Sequence, residues 1–113
     1  MPVSFGSQEE ERVYITHVKL LEKHRILGFD YQVSILGGRS VRGGFVVDFV
    51  ALTPFEQPEE VFGDYWHKGE LKGIDRMRLA AERQEFGVDP IIYWGNELQD
   101  QEMTDRVVTR RLL

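Results

Sequence analysis

Between Gly43 and His67 the chain writes a strand with a charge in its middle, Phe45-Val46-Val47-Asp48-Phe49-Val50. The β-branched and aromatic residues around Asp48 suit a pleated, buried surface, where an ionised side chain is rarely found without a partner. After a loop from Thr53-Pro54 to Pro58, a second short strand delivers Glu60 and, past Gly63, the triplet Tyr65-Trp66-His67. Two or three carboxylates and an imidazole are thereby expected to converge. Hard oxygen ligands suit a divalent cation, Mg²⁺ or Mn²⁺, and a histidine beside them can move protons.

A chain of 113 residues holds one core and no independent second domain, so residues 1–113 are read as a single domain with one site. With 42% hydrophobic and 29% charged residues it has the balance of a water-soluble globule, and no apolar run reaches the length needed to span a bilayer. Met1-Pro2-Val3-Ser4-Phe5-Gly6 lacks the basic start and apolar middle of a signal peptide, and the absence of cysteine excludes disulfides and thiolate metal sites. A reducing cytoplasm is the expected location. The net charge of −5 argues weakly against nucleic acid, yet an acidic cation site adds negative charge that the bound ion would offset. Glu9, Glu10, Glu11, Glu56, Glu59 and Glu60 hold much of the acid, while Arg39, Arg42, Lys68, Lys72 and the later arginines flank the expected site as a basic rim.

Ser7-Gln8-Glu9-Glu10 reads as a capping box that starts a helix, with Val13, His17, Leu20, Leu21 and His24 at helical spacing and Gly28 as its left-handed stop. Glu10 lies on the inward face and is read either as a cap or as a ligand. Phe29 to Leu36 alternates around Tyr31, Val33 and Ile35, the pattern of a half-buried strand. Gly37-Gly38-Arg39-Ser40-Val41-Arg42-Gly43-Gly44 then reads as a hairpin tip, whose Arg39 and Arg42 are either solvated or in contact with phosphate. A helix is predicted from about Glu70 to Phe86, with Leu71, Ile74, Met77, Ala80 and Ala81 buried and Gly87 ending it. Asp75 in its first half is either a ligand or part of a surface charge network. Val88 to Trp94 is a short strand in which Pro90 fits only the start or an edge, and Met103, Val107, Val108 and Leu112 mark a last amphipathic helix. Together these alternating patterns predict an α/β fold, a mixed sheet of about four strands flanked by helices.

The order of a helix with an acid, a hairpin with Asp48, a strand running into Tyr65-Trp66-His67, a helix with Asp75 and then Ile91-Ile92-Tyr93-Trp94 resembles the PD-(D/E)XK nuclease superfamily. Phe62-Gly63-Asp64-Tyr65-Trp66-His67 is similar to the Gly-x-Phe-Trp-His strand end of very-short-patch repair endonucleases, and Asp75, Gly87, Trp94 and Glu97-Leu98 are similar to that branch's C-terminal half. In the related EDxHD homing endonucleases, named for a Glu, Asp, His, Asp set, the corresponding positions are Glu10, Asp48, His67 and Asp75. The resemblance spans roughly residues 7 to 98. It implies a restriction-endonuclease-like core and Mg²⁺-dependent hydrolysis of DNA phosphodiester bonds, as a nicking, structure-specific or site-specific enzyme. Two departures stand out: Glu60-Val61-Phe62 occupies the place of the superfamily's Glu-x-Lys, and a chain without cysteine cannot reproduce the structural zinc of the repair enzymes.

On this reading Asp48 is the first metal ligand and Glu60 or Glu10 completes the set, with water in the remaining positions. With no lysine at Phe62, His67 is the expected proton acceptor and Asp75 orients its ring. Tyr65 and Trp66 are either core aromatics or stacking platforms for bases. Arg39, Arg42, Lys68 and Lys72 would contact DNA. The alternative is a catalytically degenerate DNA-binding or assembly protein of the same fold. A homodimer is also expected, because a core this small is expected to leave the last helix's apolar stripe exposed, and two strands of a duplex suit twofold symmetry.

Overall fold

The computed structural model describes residues 4–36, 44–63 and 73–113. Helix α1 (Gln8–Glu22) leads into strands β1 (Gly28–Ile35), β2 (Phe45–Leu52) and β3 (Glu56–Phe62). Helix α2 (Gly73–Phe86), strand β4 (Ile91–Trp94), a 3-10 turn over Gly95–Glu97 and helix α3 (Gln101–Leu112) follow. The four strands form one mixed sheet in the order β1-β2-β3-β4, antiparallel except for the parallel β3–β4 pair that α2 connects. A parallel pair needs such a crossover, and an α-helix is the usual one. The predicted α/β class and the four-stranded mixed sheet are as observed.

Helices α1 and α3 share one face of the sheet. Val13 and Leu20 from α1, Val108 and Leu112 from α3, and Phe49, Ala51 and Tyr93 from the strands form its core. Each such large apolar side chain contributes about 1.5–3 kcal/mol when removed from water. Helix α2 covers the other face, where Ala81 and Phe86 pack on Ile35, Val47 and Val50. The apolar stripe of the last helix is therefore spent inside the domain, because Val108 and Leu112 are buried against the first core. The exposed stripe expected to drive dimerisation is not present on α3.

Several local expectations shift. Ser7 caps α1 as anticipated, its hydroxyl accepting from the Glu10 amide at 3.1 Å, but the Glu10 carboxylate turns to the Ser7 hydroxyl and to Tyr31 rather than back to the Ser7 amide. Helix α1 ends at Glu22, with His24 at φ 58°, while Gly28 opens β1. Leu21 and His24 are exposed, since the inward face ends a turn earlier, at Leu20. Pro58 lies within β3, opposite Val50, instead of closing a loop. Pro90 stands just before the edge strand β4, where no ladder amide is required of it.

The expected buried stripe of α2 holds at Ala81 and is corrected at Met77 and Ala80, while Leu71 and the side chain of Ile74 lie outside the described residues. Met77 is 64% exposed and Ala80 is exposed too, whereas Glu82 is fully buried and Arg78 half-buried against the sheet. Arg78 and Glu82 are four residues apart and so share one side of the helix.

Candidate carboxylate site

The site forms where β2 and β3 part company. Their antiparallel ladder runs from Leu52↔Glu56 to Phe49↔Glu59 and stops there, and β3 continues beside β4 through Phe62↔Trp94. At the next position along, side chains replace the ladder. The Asp48 amide donates to Glu60 Oε1 at 3.0 Å, and the Val61 amide donates to Asp48 Oδ2 at 2.8 Å. Each carboxylate thus satisfies a backbone donor that strand divergence would otherwise leave orphaned.

The disruption reaches β1 as well. Its register with β2 passes from Tyr31↔Phe49 to Val33↔Val47, skipping the pair that Gln32 and Asp48 would make, and Gln32 adopts φ 58°. A left-handed residue of this kind is uncommon outside glycine, asparagine and aspartate. On one side of the break Phe49 and Ala51 face α1 and α3, and on the other Val47 packs with Val50 toward α2. Strict alternation would have kept Val47 with Phe49. The charge in the middle of the strand marks the point where the pleat is broken.

Three acids meet beneath α2. Glu60 and Glu82 are fully buried, and Asp48 is partly so. Burial first, and then the neighbouring charge of Glu60, pushes the Asp48 carboxyl up to about 8. Burial and then Glu82 push Glu60 up to about 8, against the pull of the Asp48 amide and Arg78. Burial also raises Glu82. Among the described residues the positive charge within reach is Arg78, whose Nη1 donates to Glu60 Oε2 at 3.2 Å while its guanidinium lies 5.9 Å from the Phe45 ring centroid. Among these residues one partly exposed guanidinium faces three carboxyls, an arrangement that favours their protonated forms.

Glu10 approaches from α1. Its Oε1 accepts from the Tyr31 hydroxyl at 2.7 Å, and its charge helps to raise Asp48. Gly6 makes room for it: a Cβ there would lie 2.7 Å from Glu10 Oε2. Beside Glu10 a cavity of about 510 Å³ opens at the carboxyl ends of β3 and β4, lined by Ser7, Glu10, Val61, Gly63, Gly95 and Gln99 among others. Carboxyl ends of parallel strands are the usual place for ligands in open α/β sheets.

Of the residues singled out by sequence, Asp48 and Glu60 are brought into direct contact and Glu10 lies close by. Asp75 sits in the first turn of α2, one turn before Arg78. His67, Lys68, Lys72, Arg39 and Arg42, with Tyr65 and Trp66, fall outside the described residues. Among the described residues no three His, Asp or Glu side chains are arranged to hold a metal ion as they stand. The donor set itself, all hard carboxylate oxygen, is of the kind Mg²⁺ and Mn²⁺ take. Sequence reasoning missed Glu82 and placed Arg78 only in the basic rim, without its contact to Glu60. The available signal was their i, i+4 spacing on a helix whose other face is no more apolar.

On the opposite face the adjacent Glu59 belongs to a separate network. His17, Glu59 and Tyr93 are all fully buried. The His17 Nδ1–H donates to the Val13 carbonyl at 2.7 Å, Nε2 lies 2.7 Å from Glu59 Oε2, and the Tyr93 hydroxyl donates to Glu59 Oε1 at 2.6 Å. Burial pulls the His17 pKa down, but the Glu59 charge and the hydrogen bonds to Glu59 and Val13 outweigh it, and the net shift is upward. The ring stacks on Phe49, with centroids 5.0 Å apart.

Fold and site together define an α/β domain with a buried carboxylate cluster at a strand divergence. Comparison with known proteins returns no relative: no family model matches the sequence, and no curated protein or solved structure is significantly similar.

Proposed function

We propose that this protein is a metal-dependent DNA endonuclease that hydrolyses phosphodiester bonds, with Asp48 and Glu60 as its central metal ligands and Glu10 beside them. The observation that carries the reading is the contact of Asp48 with Glu60, two carboxyls held by each other's strand in a buried place where, among the described residues, Arg78 is the positive charge that reaches them. A fold optimised for stability alone would place apolar groups there, because burying carboxylates without full compensation costs several kcal/mol per ion, as an order of magnitude. Support also comes from the order of elements, with Glu10 on α1, Asp48 on β2, Glu60 on β3 and Asp75 on α2, as the resemblance implies.

When bound, Mg²⁺ or Mn²⁺ neutralises charge on the phosphoryl oxygens and stabilises the departing alkoxide. Asp48, Glu60 and Glu10 are the residues that would hold it. His67 would take the proton of the attacking water, and Asp75 would orient the imidazole. Arg39, Arg42, Lys68 and Lys72 would bind the DNA backbone, where cations supply most of the affinity. A cytoplasmic location belongs to the same proposal, as does a twofold dimer, now resting only on the need to cut two antiparallel strands. No helix among the described residues is long and apolar enough to cross a membrane.

The test is nicking of duplex, branched and mismatched DNA with Mg²⁺ or Mn²⁺ by the wild-type protein and Asp48→Asn. The variant keeps an oxygen for the Val61 amide but removes a full charge, so cleavage collapses while DNA binding persists, and the metal-free fold is as stable or more stable. A wild-type protein that cuts none of these, or a variant that cuts equally well, overturns the proposal. One observation favours a second reading, a DNA-binding or assembly protein without catalysis: Arg78 already pairs with Glu60, and Phe62 stands where the superfamily has lysine. In that case neither metal raises the melting temperature of the wild-type protein.

A further inference from the structure

Glu82 is the group that the fold leaves unexplained. It lies fully buried on α2, and no donor among the described residues reaches either of its carboxylate oxygens. An unpartnered buried polar group costs stability and calls for a reason. Its neighbours point to one. The carboxyl of Glu82 lies against that of Glu60, an arrangement that is a hydrogen bond only if one of the two carries a proton, and it interacts with the charges of Asp48 and Arg78. The flanking residues Ala81 and Phe86 pack on Ile35, Val47 and Val50, so the helix is fixed over the sheet with Glu82 turned inward.

We propose that Glu82 is a cation ligand, completing with Asp48 and Glu60 a three-carboxylate set for a divalent cation of the Mg²⁺ and Mn²⁺ class. The inference rests on the reading of Asp48 and Glu60 as a metal site and moves the third ligand from α1 to α2. Glu82 brings two oxygens that no donor among the described residues uses. Asp48 Oδ2 accepts from the Val61 amide, and Glu60 accepts from the Asp48 amide at Oε1 and from Arg78 at Oε2. A cation seated there takes over the charge compensation that Arg78 now supplies to Glu60. Glu10, by contrast, already accepts hydrogen bonds from Tyr31 and from Ser7.

Titration of the full chain with Mn²⁺, read by melting temperature and by the spin-resonance signal of free Mn²⁺, tests this without recourse to cleavage. Glu82→Gln keeps shape and removes the charge; it is expected to raise the Mn²⁺ concentration for half-saturation by about tenfold or more, while exposed Glu85→Gln on the same helix leaves it unchanged. Should Glu82→Gln fold poorly, Glu82→Leu, which suits the apolar neighbours, is measured in its place with the same expected loss. Half-saturation within about twofold of wild type in the folded variant overturns the role of Glu82 while leaving the metal site in place. No Mn²⁺ binding by the wild-type protein overturns the metal site and Glu82 with it.

Discussion

Glu59 and Glu60 are consecutive in β3 and both fully buried, yet they serve opposite layers of the domain. Glu59 faces α1, where the His17 ring and the Tyr93 hydroxyl occupy both of its oxygens. Glu60 faces α2, where the described residues place one partly exposed guanidinium and two further acids. The period-2 geometry of a strand makes this split, and the helix that packs on each face decides whether the charge is neutralised. Glu59 is thereby a structural acid, whereas the charge of Glu60 is left for something else to balance.

The first prediction concerns pH. Asp48 and Glu60 have folded-state values of about 8 against ordinary values of 3.8 and 4.5, so the folded protein binds more protons than the unfolded chain between those limits. Their contribution to stability is fully present below about pH 4 and is lost as pH rises through about 8, with Glu82 acting in the same direction and Arg78 opposing it. His17, also raised, loses its contribution as pH rises through its folded value. The melting temperature of metal-free protein should therefore fall between about pH 5.5 and about pH 8.5, and Asp48→Asn should flatten the fall. A melting temperature that rises over this range would refute the account.

A second prediction separates the two members of the buried pair. His17→Leu leaves Glu59 buried with only the Tyr93 hydroxyl and should cost about 3–5 kcal/mol in denaturant unfolding. Glu59→Gln should cost much less, because a neutral His17 can keep its Nδ1–H on the Val13 carbonyl while Nε2 accepts from the new amide. Equal costs for the two substitutions would mean that His17 and Glu59 do not form an ion pair.

The third prediction tests how Glu10 is held. Tyr31→Phe removes the donor to Glu10 Oε1 and the acceptor for the Gly6 amide, an expected loss of about 1 kcal/mol. Gly6→Ala pushes only the flexible end of Glu10, so its cost should be smaller, and in the Tyr31→Phe background it should shrink further because the carboxylate is already free to move. Strictly additive costs, measured by urea unfolding, would show that Glu10 is not the link between the two residues.

Much of this domain could be read from the residues in order. The β-branched and aromatic residues of Phe45 to Val50 announced a strand, the Ser7 cap announced α1, and His17 stood at an inward helical position. These are local signals, because side-chain period and capping chemistry act within a few residues. The inward face of α2 was not legible. Apolar spacing selected Met77 and Ala80, but Arg78 and Glu82 turn to the sheet because Glu60, from another element, lies beneath them. The partner of His17 is likewise 42 residues away along the chain. A polar residue goes inside only when something distant meets it, and that meeting is a property of the tertiary fold.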